Sequence, residues 1–340
     1  MYGKVLKTVL LLCIMPCCLL AQNYDSNVET KKKIIRKSGV ILLSKSGGQA
    51  WKAKLTYALD KIRTNFTSAK IPIELVINPN VSALQKAADN LLALNNINTL
   101  VIIPVYLSSY DVKLEKIKYI LTIRQDLPQV KKQSSNELDA AYYENELERK
   151  VSQAIMKQYL QSALSDATPQ QIKTKLEIVM TNALDGALIN ETIEQKFEFN
   201  KQALKNSCFT VVSVGSTDKN FHKLRHLILE NSLNKLKEKF ELELVNVFLF
   251  IPRSRTKIND DTIKRFKEYY ENIPRMCRQV AVGYSLYNRH LDTKMEKLFA
   301  GTFYNYDTTI TPTQEQITGW IMQQIEKAKD MPPSKRFVTY

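Results

Sequence analysis

A turn of small residues, Lys45-Ser46-Gly47-Gly48, lies between an apolar run from Val40 to Leu43 and a segment in which Trp51, Leu55, Ala58, Leu59 and Ile62 recur at helical spacing. Backbone amides at a helix N-terminus, the helix dipole and a lysine ammonium can together hold a carboxylate or a phosphate. The same residues also make an ordinary strand-to-helix turn, and their spacing leaves both readings open. His222 and His226 stand four apart on one expected helix face, a spacing that can bind zinc. The glutamate of HExxH is missing there, and Lys223 and Arg225 disfavour a nearby cation. Other site chemistry has no signature in the chain. No GxxxxGK[ST] makes a Walker loop, no GxSxG marks a hydrolase nucleophile, and neither GxGxxG nor CxxC occurs.

The elements that must position the turn alternate. A continuous apolar run such as Val40 to Leu43 suits a strand covered on both faces of a parallel sheet. Further strands are expected at Ile73 to Ile77, Leu100 to Val105 and Leu176 to Thr181, with helices near 49–66, 81–95 and 111–122. Repeated strand–helix units imply a mostly parallel sheet, and ligands sit at the carboxyl ends of such strands. From Cys208 to Leu236 a similar unit returns, so the chain reads as a duplicated α/β protein. Its second half has strands at Phe209 to Val214, Leu242 to Phe250, Val280 to Tyr284 and Thr302 to Tyr306, and helices near 219–237, 259–271, 291–299 and 313–328.

The expected organisation is a leader at residues 1–21, a linker at 22–37, lobe 1 at 38–206, lobe 2 at 207–330 and a tail at 331–340. Within lobe 1, residues 128–170 read as an inserted helical arm and 183–206 as a connector helix. The arm serves as a lid, a docking arm for an unknown partner, or a surface decoration. Two such lobes leave a cleft, and clefts between domains are favoured ligand sites.

Lys4 and Lys7, the apolar core from Val9 to Met15, and Ala21 before a polar stretch have the layout of a secretory signal peptide. Export to a periplasmic or extracellular space is therefore expected, with membrane contact only transient, through the signal. Removing residues 1–21 takes away two lysines and no acids, so the net charge falls from +15 to +13. Such a balance favours anionic partners, although Lys31, Lys32, Lys33, Arg36 and Lys37 are the one dense basic run. Export argues against nucleic acid as that partner.

Five stretches resemble the sirohydrochlorin cobaltochelatase family of the CbiX type, in a two-lobed form. They are GVILLSKSGGQAW, TLVIIPVYLSSYDVKLEKIKYIL, IVMTNALDGALINETI, QVAVGYSLYNRHLDTKMEKLFAGTFY and TPTQEQITGW. The resemblance implies two chelatase-like lobes, each a four-stranded, mostly parallel sheet flanked by helices. It also implies a carboxylate-rich tetrapyrrole and cobalt, iron or another divalent metal as substrates between the lobes. Neutral imidazole suits the insertion chemistry, because it binds such metals and accepts the protons the macrocycle loses.

Where the family carries a histidine and glycine after the first strand, this chain has Lys45 and Ser46; where a histidine follows paired serines, Tyr110 follows Ser108 and Ser109. The resemblance thus places Lys45, Ser46, Gly47, Gly48, Ser108 and Ser109 around a ligand, and Lys45, Tyr110 and His290 in the catalytic positions. His290 falls where the second family histidine would stand and is the candidate metal ligand. In this fold the first and third strands are neighbours, and Cys208 and Cys277 precede their strand cores by the same interval, so a disulfide between them is expected. The expected function is an exported chelatase-like protein that binds a tetrapyrrole, a metal ion or both, with metal insertion reduced or lost. The alternatives are an active cobalt or iron chelatase using these unfamiliar residues, and a scaffold or interaction protein without a ligand.

Overall fold

The structure is a computed structural model. It describes residues 37–65, 71–94, 97–124, 170–198, 204–216, 218–250, 277–286 and 309–334, with isolated positions at 202 and between 264 and 306. The expected leader and linker, the arm at 128–170, most of the helices near 259–271 and 291–299, and His290 lie outside these residues. Among the described residues no helix is long and apolar enough to cross a membrane.

The first sheet contains β1 (Ser38–Ser44), β2 (Ile73–Ile77), β3 (Thr99–Val105) and β4 (Glu177–Met180), in the order β2-β1-β3-β4. The second contains β5 (Ser207–Val214), β6 (Leu244–Phe250), β7 (Arg278–Tyr284) and β8 (Asn305–Tyr306), in the order β6-β5-β7-β8. All pairings are parallel. The two halves therefore share one topology, with the first strand of each in the middle, and the duplicated α/β architecture with four-stranded sheets holds.

Alternation along β1 sends its side chains to two cores. Val40 and Leu42 face one layer, while Ile41 and Leu43 face the other. The first layer is closed by α1 (Gly48–Asn65), whose Trp51, Leu55, Ala58, Leu59 and Ile62 form the buried stripe expected from their spacing. The second is closed by α2 (Val81–Leu94) and α3 (Val112–Ile120), through residues such as Leu84, Leu91, Leu114 and Ile117. Pro104 lies inside β3, yet past the last β3–β4 residue pair, Ile102 with Met180. Its missing N–H therefore costs no ladder bond to β4.

Chain order and packing part company at two helices. α4 (Ile189–Phe197) is shorter than the expected connector helix, because the chain turns through Leu184–Leu188 first, with Asp185 and Gly186 at φ +43° and +82°. Its Ile189, Ile193 and Phe197 pack on the second sheet with Phe209, Val211 and α5 (Lys219–Lys239). In return α6 (Gln314–Ala328), which follows the second sheet, lays Ile317, Trp320, Ile321 and Ile325 against β1, β3 and α1. Each half thus closes its core with a helix from beyond its own run of strands. Lys54 on α1 binds the incoming segment, giving hydrogen bonds to the Pro312 carbonyl (2.7 Å) and Thr311 Oγ1 (3.1 Å). Burial lowers the pKa of Lys54, and Glu315 acts against that shift.

Cys208 and Cys277 form a disulfide with their Cα atoms 5.6 Å apart. The two do not sit level as the equal intervals suggested. Cys208 is opposite Gln279 in the β5–β7 register, and Cys277 is two residues earlier. A two-residue offset returns to the same face of the sheet, so the bridge runs diagonally.

Candidate functional site

The loops after β1, β2, β3 and β4 meet at the carboxyl end of the first sheet. Ser44 ends β1 and is fully buried; its Oγ accepts from Trp51 Nε1 (2.8 Å), which fixes the start of α1. Gly48 opens α1 at φ +80°, a left-handed conformation that a residue without Cβ adopts at little cost. The Ser46 amide donates to Asn78 Oδ1 (2.8 Å), and the Asn78 amide donates to the Ser44 carbonyl (2.8 Å), so the β1 and β2 loops brace each other.

Lys45 points across the end of the sheet. Its ammonium forms an ion pair with Asp111 Oδ2 and stands 5.5 Å from the centre of the Tyr106 ring. Asp111 has two duties, because its Oδ1 also caps α3 by accepting from the Lys113 amide (3.0 Å). Lys45 and Asp111 are both about one-fifth exposed, so the pair can be reached from solvent.

Ser109 and Asp185 join the β3 and β4 loops. The Ser109 amide donates to Asp185 Oδ1 (2.6 Å), its hydroxyl donates to Asp185 Oδ2, and the same Oγ accepts from the Ala183 amide (2.9 Å). Ser108 Oγ accepts from the Tyr110 amide (3.1 Å). Both serines therefore serve the loop itself. The Tyr110 ring meets the Phe221 ring, from the first turn of α5, with centroids 5.8 Å apart and planes tilted by 50°. This contact brings a loop of the first sheet against a helix of the second.

Lys45, Ser46, Gly47, Gly48, Ser108, Ser109 and Tyr110 thus gather at the end of one sheet, while His290 lies outside the described residues. Sequence reasoning missed Asp111, Asn78, Asp185, Tyr106 and Phe221. Asp111, directly before an apolar helical stripe, carried a readable cap signal. Asp185-Gly186 carried a turn signal. Nothing in the sequence ties Tyr106 to Lys45 or Phe221 to Tyr110.

His222 and His226 do not converge on a metal. His226 Nε2 is 3.0 Å from the Val247 carbonyl and Nδ1 faces Glu230 at 3.6 Å. The His222 ring instead lies against Gly215, where an added Cβ would come within 2.3 Å of its Nδ1. Burial depresses the pKa of His222; a hydrogen bond with the Ser216 backbone opposes this, and the His226 and Arg225 charges add to it. Among the described residues no three His, Cys, Asp or Glu side chains group to hold a metal ion.

No family model matches the chain, and no curated protein matches it. Solved structures with similar folds include the sirohydrochlorin chelatase SirB from Bacillus subtilis subspecies spizizenii in complex with cobalt. That likeness has a TM-score of 0.46 and 10% identity, and covers 87% of this chain and 96% of that one. CbiX, the terminal enzyme for biosynthesis of siroheme in denitrifying bacteria, gives 0.38 and 11%, covering 85% and 99%. The lac repressor dimer bound to operator and the anti-inducer ONPF gives 0.35 and 10%, covering 90% and 92%. The protein is an α/β chain with two four-stranded parallel sheets of one topology.

Proposed function

We propose that this protein is an exported, chelatase-like binder of an anionic tetrapyrrole, a divalent metal or both, with metal insertion reduced or lost. The observation that carries the reading is the lining at the end of the first sheet. There the Lys45 ammonium, about one-fifth exposed, lies close in the chain to the partly exposed Tyr110 ring, which contacts Phe221 from the other half, while the Tyr106 ring beside Lys45 is buried. A cation beside aromatic faces suits a flat, carboxylate-bearing macrocycle. The same arrangement opposes metal insertion. An ammonium in an ion pair has no lone pair to offer cobalt or iron, and no described imidazole reaches this loop cluster. Export is supported by the Cys208–Cys277 disulfide, a bond that persists in oxidising compartments.

Titration of the purified protein with haem, sirohydrochlorin and divalent metals, followed by absorbance, tests the reading. The expected result is a saturable spectral shift with a tetrapyrrole and no cobalt-dependent conversion of sirohydrochlorin. Cobalt insertion at the rate of a histidine-bearing chelatase would make the protein an active enzyme instead. An unchanged spectrum with every tetrapyrrole and metal would leave a scaffold.

A further inference from the structure

The duplication places equivalent layers at the carboxyl ends of the two sheets, and the two layers are filled differently. In the first sheet Ser44 is opposite Val105, and its hydroxyl is satisfied by Trp51. That layer is closed. In the second sheet the corresponding serine is Ser213, opposite Tyr284 in the β5–β7 register. Both are fully buried. Alternation puts them on the face that carries Phe209, Val211, Val280 and Val282, beneath α4 and α5.

The helix above this floor changes character along its length. Leu236, Leu233 and Leu229 pack on the sheet, and the same stripe continues one and two turns earlier as Arg225 and His222. Arg225 is 7% exposed and its Nη2 lies 3.4 Å from Ser213 Oγ. Ser213 Oγ in turn donates to the Tyr284 carbonyl at 2.9 Å. Among the described residues the buried Tyr284 hydroxyl has no hydrogen-bond partner. Burial raises the pKa of the Tyr284 phenol, Arg225 opposes that shift and Glu191 on α4 adds to it. The phenol is thus held as an O–H donor. Leaving the hydrogen bond of a buried hydroxyl unmade is costly, which points to a bound group that satisfies it.

We propose that the carboxyl end of the second sheet is a binding site for a small oxyanion, held by the Arg225 guanidinium and the Tyr284 hydroxyl, with Ser213 committed to the Tyr284 carbonyl beneath them. The partly exposed His222 forms its solvent side. A guanidinium beside a neutral hydroxyl donor recognises carboxylate and phosphate oxygens alike. Glu191 contributes negative charge from α4 and favours a singly charged ligand over a multiply charged one. The inference goes beyond the function proposed above, because it concerns the other sheet and requires no tetrapyrrole.

Thermal unfolding in acetate, phosphate or chloride at matched ionic strength and pH tests the site, using the wild type and Tyr284→Phe. Acetate or phosphate should raise the wild-type Tm saturably beyond chloride, and comparing the two separates a carboxylate from an inorganic phosphate ligand. Tyr284→Phe removes a buried unpaired hydroxyl without changing shape, so its Tm in chloride should equal or exceed that of the wild type. The anion concentration it needs for half the Tm rise should be about tenfold higher, as expected for one lost hydrogen bond to a charged group. A wild type that responds to acetate and phosphate no more than to chloride would overturn the site. So would a Tyr284→Phe variant with an unchanged response.

Discussion

Lys45 and Asp111 lie sixty-six residues apart in the chain and close an ion pair across the carboxyl ends of β1 and β3. The pair decides how the proposed first-sheet site behaves, because a ligand carboxylate must compete with Asp111 for the same ammonium. Asp111 also caps α3, so substitutions at the two positions have different consequences.

Asp111→Asn keeps the cap, since asparagine and aspartate serve equally well there, while removing the charge that holds Lys45. Stability should fall by no more than about 1 kcal/mol, the range for a partly exposed pair. Tetrapyrrole affinity should rise, whereas Lys45→Ala should lower it by about five- to tenfold. Absorbance titrations of both variants check this, and equal affinity in both would remove Lys45 from the site.

The disulfide closes a loop between positions 69 residues apart, for which chain entropy predicts about 4 kcal/mol of stabilisation. Beyond residue 21 the sequence has no cysteine other than Cys208 and Cys277. Thiol counting on denatured protein lacking residues 1–21 should therefore find none. Reductant should lower the denaturation midpoint, and an unchanged midpoint would show that the bridge contributes nothing.

The arm near 130–168 should be dispensable. The chain on either side of it meets directly, because the Ile172 amide donates to the Ile120 carbonyl at 2.9 Å and Gln171 Nε2 to the Tyr119 carbonyl at 3.2 Å. Replacing the arm with a short glycine-serine linker should leave a soluble protein with a Tm within a few degrees of the parent, since closure cost depends weakly on loop length. Insolubility would place the arm in the core.

Stability should depend on His222 in mildly acidic solution. Its pKa in the folded protein is depressed below the ordinary value of 6.5, so over that window the unfolded chain binds more protons. Stability therefore falls as pH drops through about 6.5 and levels off below the folded value. His222→Gln should flatten this part of the Tm–pH curve. A curve of unchanged slope would assign the dependence to other groups.

The strands and most helices were readable in the sequence, because each carries its own period. The continuous apolar run of β1 and the Trp51-to-Ile62 stripe of α1 state locally which faces are buried. Partnership over distance carries no such mark. α4 and α6 are amphipathic, and that property fixes a buried face without saying which sheet receives it. Packing assigns α4 to the second sheet and α6 to the first. In the same way the turn at Lys45–Gly48 was identifiable from its residue types, while Asp111 as the holder of Lys45 was not. Nor could spacing show that Ser44 is satisfied by Trp51 whereas its counterpart Ser213 lies beneath Arg225 and donates to the Tyr284 carbonyl. Local pattern determines elements through backbone periodicity; the charge and hydrogen-bond partners of a site depend on which distant loops the sheet order brings together.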